Sequence, residues 1–302
     1  MPEEKTHALL RRASMASLAV ALTLVVAKFV GLLLTGSVSL LATLIDSLVD
    51  VFASSVNFFA IRSALVPPDS EHRFGHGKAE PLAGLAQSAF VSGSAIFLAM
   101  ESGGRLLHPA PLEKSALGAA LMVFAFFLSG ALVLFLRRSA RLTYSTALAA
   151  DSLHYESDLL VYVTIALALL VNTFISLPWL DPAAALAIVG YMGLGAWKIG
   201  KKSVDALMDK EFSPEDREKI KAIAKSHPEV RGVHDLRTRR AGPHTFIQLH
   251  VVLDDRLSLL EAHRIADEVE VMLQEAFPQA DIIIHQDPRG VVEHQDRPEA
   301  FT

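Results

Sequence analysis

Residues 40–59 form an apolar stretch that carries two carboxylates near its middle, Asp46 and Asp50. About 20 apolar residues are enough for a helix to cross the hydrocarbon core of a bilayer. Four residues apart on a helix, the two side chains lie on one face, one turn apart. An Asp at the centre of a membrane helix costs on the order of 3 kcal/mol, and neighbouring carboxylates also repel each other. We therefore predict that a divalent cation or a proton neutralises the pair.

The composition supports a membrane protein and narrows the chemistry of any metal site. Of the 302 residues, 51% are hydrophobic, and the net charge of -5 argues against a nucleic-acid partner. The sequence contains no cysteine, so disulfides and thiolate ligands are excluded. A metal ion must therefore be bound by His, Asp, Glu or backbone oxygens, which makes the 12 histidines candidate ligands.

Apolar stretches predict an α-helical membrane domain with six transmembrane helices. Besides residues 40–59, the predicted spans cover about residues 13–34, 81–107, 115–136, 144–175 and 183–207. No cleavage site of small residues follows the first stretch, so we interpret it as a helix and not as a signal peptide. Lys28 lies inside it, where a basic side chain either extends to the interface or pairs with an interior acid.

The basic residues of the loops predict the orientation of the helices. Lys and Arg residues precede the first span, follow the second, the fourth and the sixth, and are scarce in the opposite loops, which carry only Arg105 and Lys114. Because basic loops stay on the cytoplasmic side, both termini are expected in the cytoplasm.

After Asp209 the sequence changes to that of a soluble domain. Ser213 and Pro214 mark the start of a helix that is predicted to end near Ser226. Strands are predicted over 230–239, 244–253 and 281–285, with a helix over 259–277. The order αββαβ predicts an α+β sandwich in which helices cover one side of a small antiparallel sheet. Four regions are predicted. They are a cytoplasmic N-terminal segment (1–12), a transmembrane six-helix domain (13–208), a cytoplasmic metal-binding and dimerisation domain (209–290) and a flexible tail (291–302).

The fifth span repeats the four-residue spacing with His154 and Asp158, in the sequence DSLHYESD. If it faces the first pair, two helices supply one imidazole and three carboxylates, the number of ligands that a tetrahedral Zn²⁺ site takes. A single intramembrane histidine more often satisfies a backbone carbonyl, but two matched pairs on two membrane helices indicate a metal site. Asp151 and Glu156 lie on other faces of this helix and are interpreted as helix-end or gate residues.

The loop between the second and third spans contains a second group of potential ligands, Asp69, His72 and His76. Their spacings of three and four residues suit a loop or a short helix that closes around one ion. An ordinary polar loop is the alternative interpretation.

The soluble domain contains a third group of potential ligands. If residues 241–243 form a three-residue hairpin loop, His234 lies opposite His250 on the neighbouring strand, roughly 5 Å away and close enough to share an ion. His263 on the helix, and His285 with Asp287 at a strand end, are the further candidates. A single surface histidine is usually only solvated, so the group rather than any member indicates a metal site.

Several of these motifs together resemble the cation diffusion facilitator family, and in particular its bacterial zinc and ferrous-iron efflux transporters. The resemblance extends from the first span to about Pro288 and depends on the segments TGSVSLLATLIDSLVD, HRFGHGKAE, DSLHYESD, GVHDLRTR, FIQLHV and DIIIHQDP. It implies a homodimer in the bacterial inner membrane, with a ferredoxin-like, metallochaperone-like cytoplasmic domain that binds metal and mediates dimerisation.

The resemblance also implies roles for the candidate residues. The implied transport site consists of Asp46, Asp50, His154 and Asp158. The implied loop site, which we expect to bind more weakly, consists of Asp69, His72 and His76. The implied cytoplasmic site holds two ions bridged by Asp287, with further ligands His234, His250, His263 and His285. Two residues, Lys78 and Asp209, match positions that form a charge interlock between the domains.

We predict a proton-coupled antiporter that exports a divalent transition metal, Zn²⁺ first and Fe²⁺, Cd²⁺ or Mn²⁺ as alternatives. Moving a dication out against an inside-negative potential costs about 4.6 kcal/mol per 100 mV, and no P-loop motif is present to use ATP. The transported ion is also the expected regulatory ion, and no organic cofactor is expected.

Two other classes of function stay open at this point. An intramembrane metalloenzyme needs an open coordination position and a nearby base, but four protein ligands leave no room for a substrate and the sequence contains no HExxH motif. The chain is therefore not expected to be an enzyme. A metal-gated channel or sensor would use the soluble domain as its receptor, and metal flux with and without a pH gradient separates it from an exchanger.

Overall fold

The structure is a computed structural model that describes residues 3–35, 38–107, 116–174, 180–242, 244–278 and 280–290. The chain divides into two compact units, Met1–Leu207 and Met208–Thr302. The flexible tail predicted for residues 291–302 lies outside the described residues.

Six long helices build the first unit. They are α1 (Glu3–Thr35), α2 (Val38–Ala64), α3 (Ala79–Leu107), α4 (Ala116–Thr143), α5 (Thr146–Phe174) and α6 (Leu180–Leu207). Within the described part of the chain, five of them are long and apolar enough to cross a membrane by length and composition, all except α5. The first half of α5 carries three acidic residues, Asp151, Glu156 and Asp158, which lower its hydropathy. The helices confirm the predicted helical membrane domain.

The first helix begins before the predicted span. α1 starts at Glu3, and the polar residues that precede the apolar run continue the same helix. Leu10 is 1% exposed and packs in one buried cluster with Ile61 of α2 and Leu136 of α4. The N-terminal residues thus belong to the helix bundle.

Helix α5 lies at the centre of the bundle. It contributes Leu148 and Tyr155 to a core cluster with α1, α2 and α4, and Leu153 to a second cluster with α3 and α6. A Cβ on Gly195 of α6 would lie 2.7 Å from the end of the Leu153 side chain, so a larger residue there would require that side chain to shift. The acidic half of α5 is therefore surrounded by other helices, which explains how it tolerates carboxylates.

The second unit contains the five predicted elements in the predicted order. They are α7 (Pro214–Ser226), β1 (Gly232–Ala241), β2 (His244–Leu253), α8 (Leu259–Ala276) and β3 (Ala280–Pro288). Ser213 caps α7, because its side-chain oxygen accepts a hydrogen bond from the Asp216 N–H at 3.1 Å. Ser258 caps α8 in a capping box with Glu261.

The sheet has the order β1-β2-β3, and its topology corrects one prediction. β1 and β2 are antiparallel, but β2 and β3 are parallel, so the expected antiparallel sheet is wrong for its second pair. The reason is the connection: β2 reaches β3 through α8, and a helical crossover joins parallel strands, whereas a tight hairpin joins antiparallel ones.

One face of the sheet forms the core of the second unit. The predicted apolar face of β2 is buried, with Ile247, Leu249 and Val251 at most 1% exposed. These residues pack in one cluster with Ile220 of α7 and Ile265 of α8. Both helices thus cover the same face, as predicted, and the opposite face presents the polar side chains of β2.

Candidate metal centres

The first candidate centre, the bundle cluster, consists of Asp50 on α2 with His154 and Asp158 on α5. His154 Nε2 lies 3.0 Å from Asp50 Oδ1 and 3.9 Å from Asp158 Oδ2. One potential ligand atom of each residue lies within 4.8 Å of the other two. Since Zn–N and Zn–O bonds are about 2.0–2.2 Å long, atoms at these separations suit coordination of one divalent ion after small adjustments.

The imidazole of the bundle cluster is the most enclosed of its three side chains. His154 is 6% exposed, whereas Asp50 is 18% and Asp158 is 32% exposed. The Phe90 ring of α3 packs edge-on against His154 at a centroid distance of 5.8 Å. Tyr155, next to His154, hydrogen-bonds through its hydroxyl with Ser54 Oγ of α2 at 3.2 Å. These contacts fix the position of α5 next to α2.

Asp46, the fourth predicted ligand, does not join this group. Four residues from Asp50, it is displaced by about 6 Å along the helix axis, and it is exposed. Asp50 and Asp158 are nevertheless among its electrostatic neighbours. The structure therefore brings together three of the four predicted transport-site residues and leaves Asp46 one turn away.

Two glutamates whose contacts the sequence analysis missed hold α5 in place. Glu156, interpreted from sequence as a helix-end or gate residue, accepts hydrogen bonds from Arg137 of α4 and from the Tyr191 hydroxyl of α6, the latter at 2.6 Å. Glu80, at the start of α3 and 4% exposed, accepts from the Thr146 N–H at the first residue of α5, at 3.1 Å. The position of Glu80 in the HRFGHGKAE segment was the available signal. Asp151 is fully buried.

The second candidate centre, the loop cluster, lies between α2 and α3. Asp69 Oδ1 lies 3.4 Å from His72 Nδ1, and Asp69 Oδ2 lies 3.3 Å from His76 Nε2. Gly75, with φ of 76°, provides the left-handed turn between the two histidines. The hydrogen bond from the His72 N–H lowers the pKa of the Asp69 carboxyl, so a carboxylate is available to a cation. All three predicted residues come together here.

The third candidate centre, the sheet cluster, has Asp287 of β3 at its middle. Asp287 Oδ2 lies 2.8 Å from His250 Nδ1 and 3.1 Å from His234 Nε2, while Oδ1 lies 3.2 Å from His285 Nε2. The carboxylate is 11% exposed and lies among three imidazoles that are more exposed than it is. Both of its oxygens therefore have an imidazole nitrogen within 3.2 Å.

His234 lies opposite His250, as predicted, but for a different reason. Ala241 pairs with His244, so the hairpin loop is one residue shorter than the predicted one. The register then shifts between His234 and Arg237, where β1 has one residue more than β2. This bulge restores the pairing of the two histidines.

The bulge also adds a carboxylate that the sequence analysis missed. Asp235 has a φ of 45°, the left-handed conformation that Asp and Asn tolerate better than most residues. Its Oδ2 lies 3.7 Å from His250 Nε2, on the side of the imidazole that Asp287 does not contact. A bulge at this position was not visible in the sequence.

His263 is not part of the sheet cluster. Its side chain on α8 is 66% exposed, and its Nδ1 lies 3.6 Å from Asp267 of the same helix.

The two residues of the predicted interlock each have a contact within their own unit. Lys78 Nζ donates to the Leu207 carbonyl at 3.3 Å, and Asp209 accepts from Arg239 at 3.3 Å. Their interaction with each other stays a prediction.

The fold and these centres define a class of protein, a helical membrane protein with potential metal ligands inside its bundle and a soluble α+β domain after it. The family model described as the cation efflux transmembrane domain matches residues 14–208. The model described as the cation efflux protein, cytoplasmic domain, matches residues 212–289. The chain therefore belongs to the cation efflux family, which confirms the resemblance to cation diffusion facilitators.

Relatives that are named as cation-efflux pumps match almost the whole chain. A protein of Shewanella oneidensis named cation-efflux pump FieF is 50% identical over 276 residues, which are 91% of this chain and 93% of the relative. A protein of the same name from Klebsiella pneumoniae is 44% identical over 289 residues, 94% of each chain. The solved metal-bound C-terminal domain of the CzcD transporter from Thermotoga maritima is 26% identical and covers 27% of this chain and all of that domain, with a TM-score of 0.25. The family models and the two named relatives together show that this protein is a membrane-embedded cation efflux transporter and not an enzyme.

Proposed function

We propose that this transporter exports Zn²⁺ from the cytoplasm in exchange for protons, with Fe²⁺, Cd²⁺ and Mn²⁺ as competing substrates. The observation that carries the proposal is the bundle cluster, where Asp50, His154 and Asp158 converge from two helices inside the bundle. One imidazole with carboxylates suits zinc and related first-row ions, while a set of oxygens alone suits Mg²⁺ or Mn²⁺. The metal ion is the substrate of this site.

The same side chains support proton exchange. A carboxylate or an imidazole nitrogen that binds a metal ion must first lose its proton, so metal and protons compete for the site. An empty site with unneutralised carboxylates is costly within a membrane, which favours its return with protons bound. The three side chains lie so close together that they take up and release protons as one coupled group. An inward proton gradient then drives the outward step of the dication.

Asp46 is proposed to complete the coordination in a second arrangement of the bundle. It faces the same side of α2 as Asp50, one turn away, and its carboxylate is in the electrostatic range of Asp158. Alternating access requires two arrangements of helices around a site near the middle of the membrane. A small displacement of α2 along α5 exchanges a three-residue site for a four-residue site and changes the affinity for the ion.

The other two clusters are proposed to supply and to sense the ion. The loop cluster is exposed and offers three ligands, so it suits an ion that exchanges rapidly with the solvent. In the sheet cluster the two oxygens of Asp287 point to different imidazoles, which supports a bridged pair of ions. We place the transmembrane domain at 13–208 and the metal-sensing domain at 209–290, and propose a homodimer of a bacterial inner membrane with both termini in the cytoplasm.

Flux into proteoliposomes tests the proposal. Vesicles containing the purified protein are given Zn²⁺ with and without an imposed pH gradient, and zinc and proton movements are followed with separate dyes. We expect zinc transport to accelerate with the gradient and protons to move in the opposite direction. The Asp50→Ala variant in matched vesicles is the control for leak. Zinc flux that ignores the gradient and moves no protons would identify a channel and overturn the antiport proposal.

A further inference from the structure

Lys28 of α1 is held against α2 at the level of the aspartates. Its Nζ donates to Ser47 Oγ at 2.6 Å and to the Thr43 carbonyl at 3.1 Å. Ser47 is 1% exposed and lies between Asp46 and Asp50 in the sequence. The sequence suggested extension to the interface or pairing with an interior acid; the side chain instead lies in the interior with a hydroxyl and a carbonyl as its hydrogen-bond partners.

The Lys28 ammonium interacts with the carboxylates through space. Asp46, Asp50 and Asp158 are its electrostatic neighbours. Within the described part of the chain its hydrogen bonds go to Ser47 and Thr43, and it forms no ion pair with these aspartates. The carboxylate oxygens are therefore left to a metal ion, while the positive charge remains near them.

The charges at this level of the bundle suggest what Lys28 does. The carboxylates of Asp46, Asp50 and Asp158 carry three negative charges, a divalent ion supplies two positive charges, and Lys28 supplies the third. With a neutral His154, the metal-loaded set has no net charge. Charged groups inside a membrane are tolerated when they neutralise one another, so a set without net charge is the least costly. Without Lys28 both the empty and the loaded set carry one more negative charge, so the incoming dication meets a more negative site and is attracted more strongly.

We propose that Lys28 is a tethered counter-charge of the transport site, which limits the affinity for the dication and thereby permits its release. The inference rests on the proposed function, because it takes the three aspartates and His154 as the ligands of the transported ion. A fixed positive charge near the site repels an incoming dication and weakens its binding. At a given association rate, weaker binding of the ion means faster release. Hydrogen bonds to Ser47 and Thr43 keep the charge at a constant position.

Zinc affinity of the full-length protein in nanodiscs tests this role. The loop and sheet clusters are first disabled by Asp69→Ala and Asp287→Ala, and binding is measured by competition with a chelator at pH 8, where protons compete least. Lys28→Gln keeps a hydrogen-bond donor but removes the charge, and we expect it to bind zinc about tenfold more tightly, equivalent to about 1.4 kcal/mol. Lys28→Arg keeps the charge and is expected to restore the affinity. Lys198→Gln, at an exposed lysine of α6, is the matched control.

The outcomes separate this inference from the proposed function. If Lys28→Gln binds zinc with unchanged or lower affinity, Lys28 only links α1 to α2 and the counter-charge role is overturned. Ser47→Ala loosens the tether without removing the charge, so it should change the affinity less than Lys28→Gln, and an equal or larger change also contradicts the role. Asp50→Ala in the same background should lose binding. If Asp50→Ala binds zinc like its parent, the transport-site assignment fails, whatever Lys28 does.

Discussion

The bundle cluster and the sheet cluster use the same kinds of ligand with opposite patterns of burial. In the bundle the imidazole of His154 is 6% exposed, while the carboxylates of Asp50 and Asp158 are 18% and 32% exposed. In the sheet the carboxylate of Asp287 is 11% exposed, while the imidazoles of His234 and His285 are 42% and 62% exposed. The group that is anchored by the fold therefore differs between the two sites, although histidine and aspartate supply both.

This difference corresponds to the elements that carry the ligands. The bundle ligands come from two helices, and a shift of one helix along the other changes the distances between them. The sheet ligands come from neighbouring strands that are fixed by backbone hydrogen bonds, above a core of Ile247, Leu249 and Val251. A site between helices suits an ion that must be bound and then released. A site on a sheet suits an ion that binds at equilibrium and reports its concentration.

The largest expected effect is the loss of transport in Asp50→Ala. This change removes a potential ligand that lies 3.0 Å from His154 Nε2 and also removes a costly charge from a membrane helix. We expect the zinc flux to fall more than about 100-fold, because mutating even the hydrogen-bond partners of metal ligands lowers metal affinity or activity by about 10–100-fold. The variant should still insert into the membrane and elute from a sizing column as the wild type does. Flux at the wild-type rate would mean that the bundle cluster is not the transport site.

Replacing the buried imidazole should alter selectivity more than rate. His154→Asp gives the bundle cluster an oxygen-only ligand set, which favours harder ions such as Mn²⁺ over Zn²⁺. We expect the ratio of Mn²⁺ to Zn²⁺ transport to rise about tenfold, as measured by competition in proteoliposomes, which corresponds to about 1.4 kcal/mol. His244→Asp, at a histidine outside the three clusters and outside the implied metal sites, is the matched control. An unchanged selectivity profile would show that His154 does not contact the ion.

The spacing within the bundle cluster was predictable, because its pattern is local. Two residues four apart on a helix share a face whatever the rest of the chain does, so the sequence alone placed His154 beside Asp158. The sheet cluster depends on pairing between distant segments. There the predicted facing of His234 and His250 is correct only because a shorter hairpin loop and an unpredicted bulge at Asp235 offset each other.

Contacts that depend on packing could not be predicted. Lys28 stood out as a charge in an apolar helix, but its hydrogen bond to Ser47 depends on how α1 and α2 pack. The cap that Glu80 provides for α5, and the hydrogen bond that Glu156 of α5 accepts from Tyr191 of α6, likewise join separate helices. The parallel pairing of β3 is different, because it follows from the helical crossover that the order αββαβ already contains.

A third, smaller effect concerns the loop cluster. Its side chains are exposed, like the imidazoles of the sheet cluster, but they lie on a loop and not on paired strands. Asp69 is 48% exposed, and His72 is 56% exposed, so solvent competes with any ion bound there. We expect Asp69→Ala to reduce the apparent affinity for transported zinc about two- to tenfold, in the range of about 0.4–1.4 kcal/mol, and to leave the maximal flux nearly unchanged. Complete loss of flux in a well-folded variant would place this cluster on the obligatory path of the ion.

The sheet cluster is expected to affect transport least. It is tested most directly by the change that zinc causes in the melting temperature of the second unit. Its buried core is formed by its own residues, so the fragment from Met208 to Gly290 is expected to fold alone. A ligand that binds only the folded state stabilises it by about 2.7 kcal/mol at a hundredfold excess over Kd, and each kcal/mol raises the Tm of a small domain by about 4–8 °C. Zinc should therefore raise the melting temperature at neutral pH, and because protons compete with metal ions for the same ligands, the rise should be smaller in acid.

Two single variants of this fragment make the test specific. Asp287→Ala removes the carboxylate that lies within 3.2 Å of three imidazoles, so it should abolish the zinc response. His263→Ala removes an imidazole whose Nδ1 is 3.6 Å from Asp267, away from that carboxylate, so the response should persist in the monomer. If zinc also strengthens self-association and His263→Ala reduces only that part, His263 completes the site in the dimer. If wild-type fragment melts identically with zinc and with chelator, the sheet histidines are solvated surface groups and the sensing role is wrong.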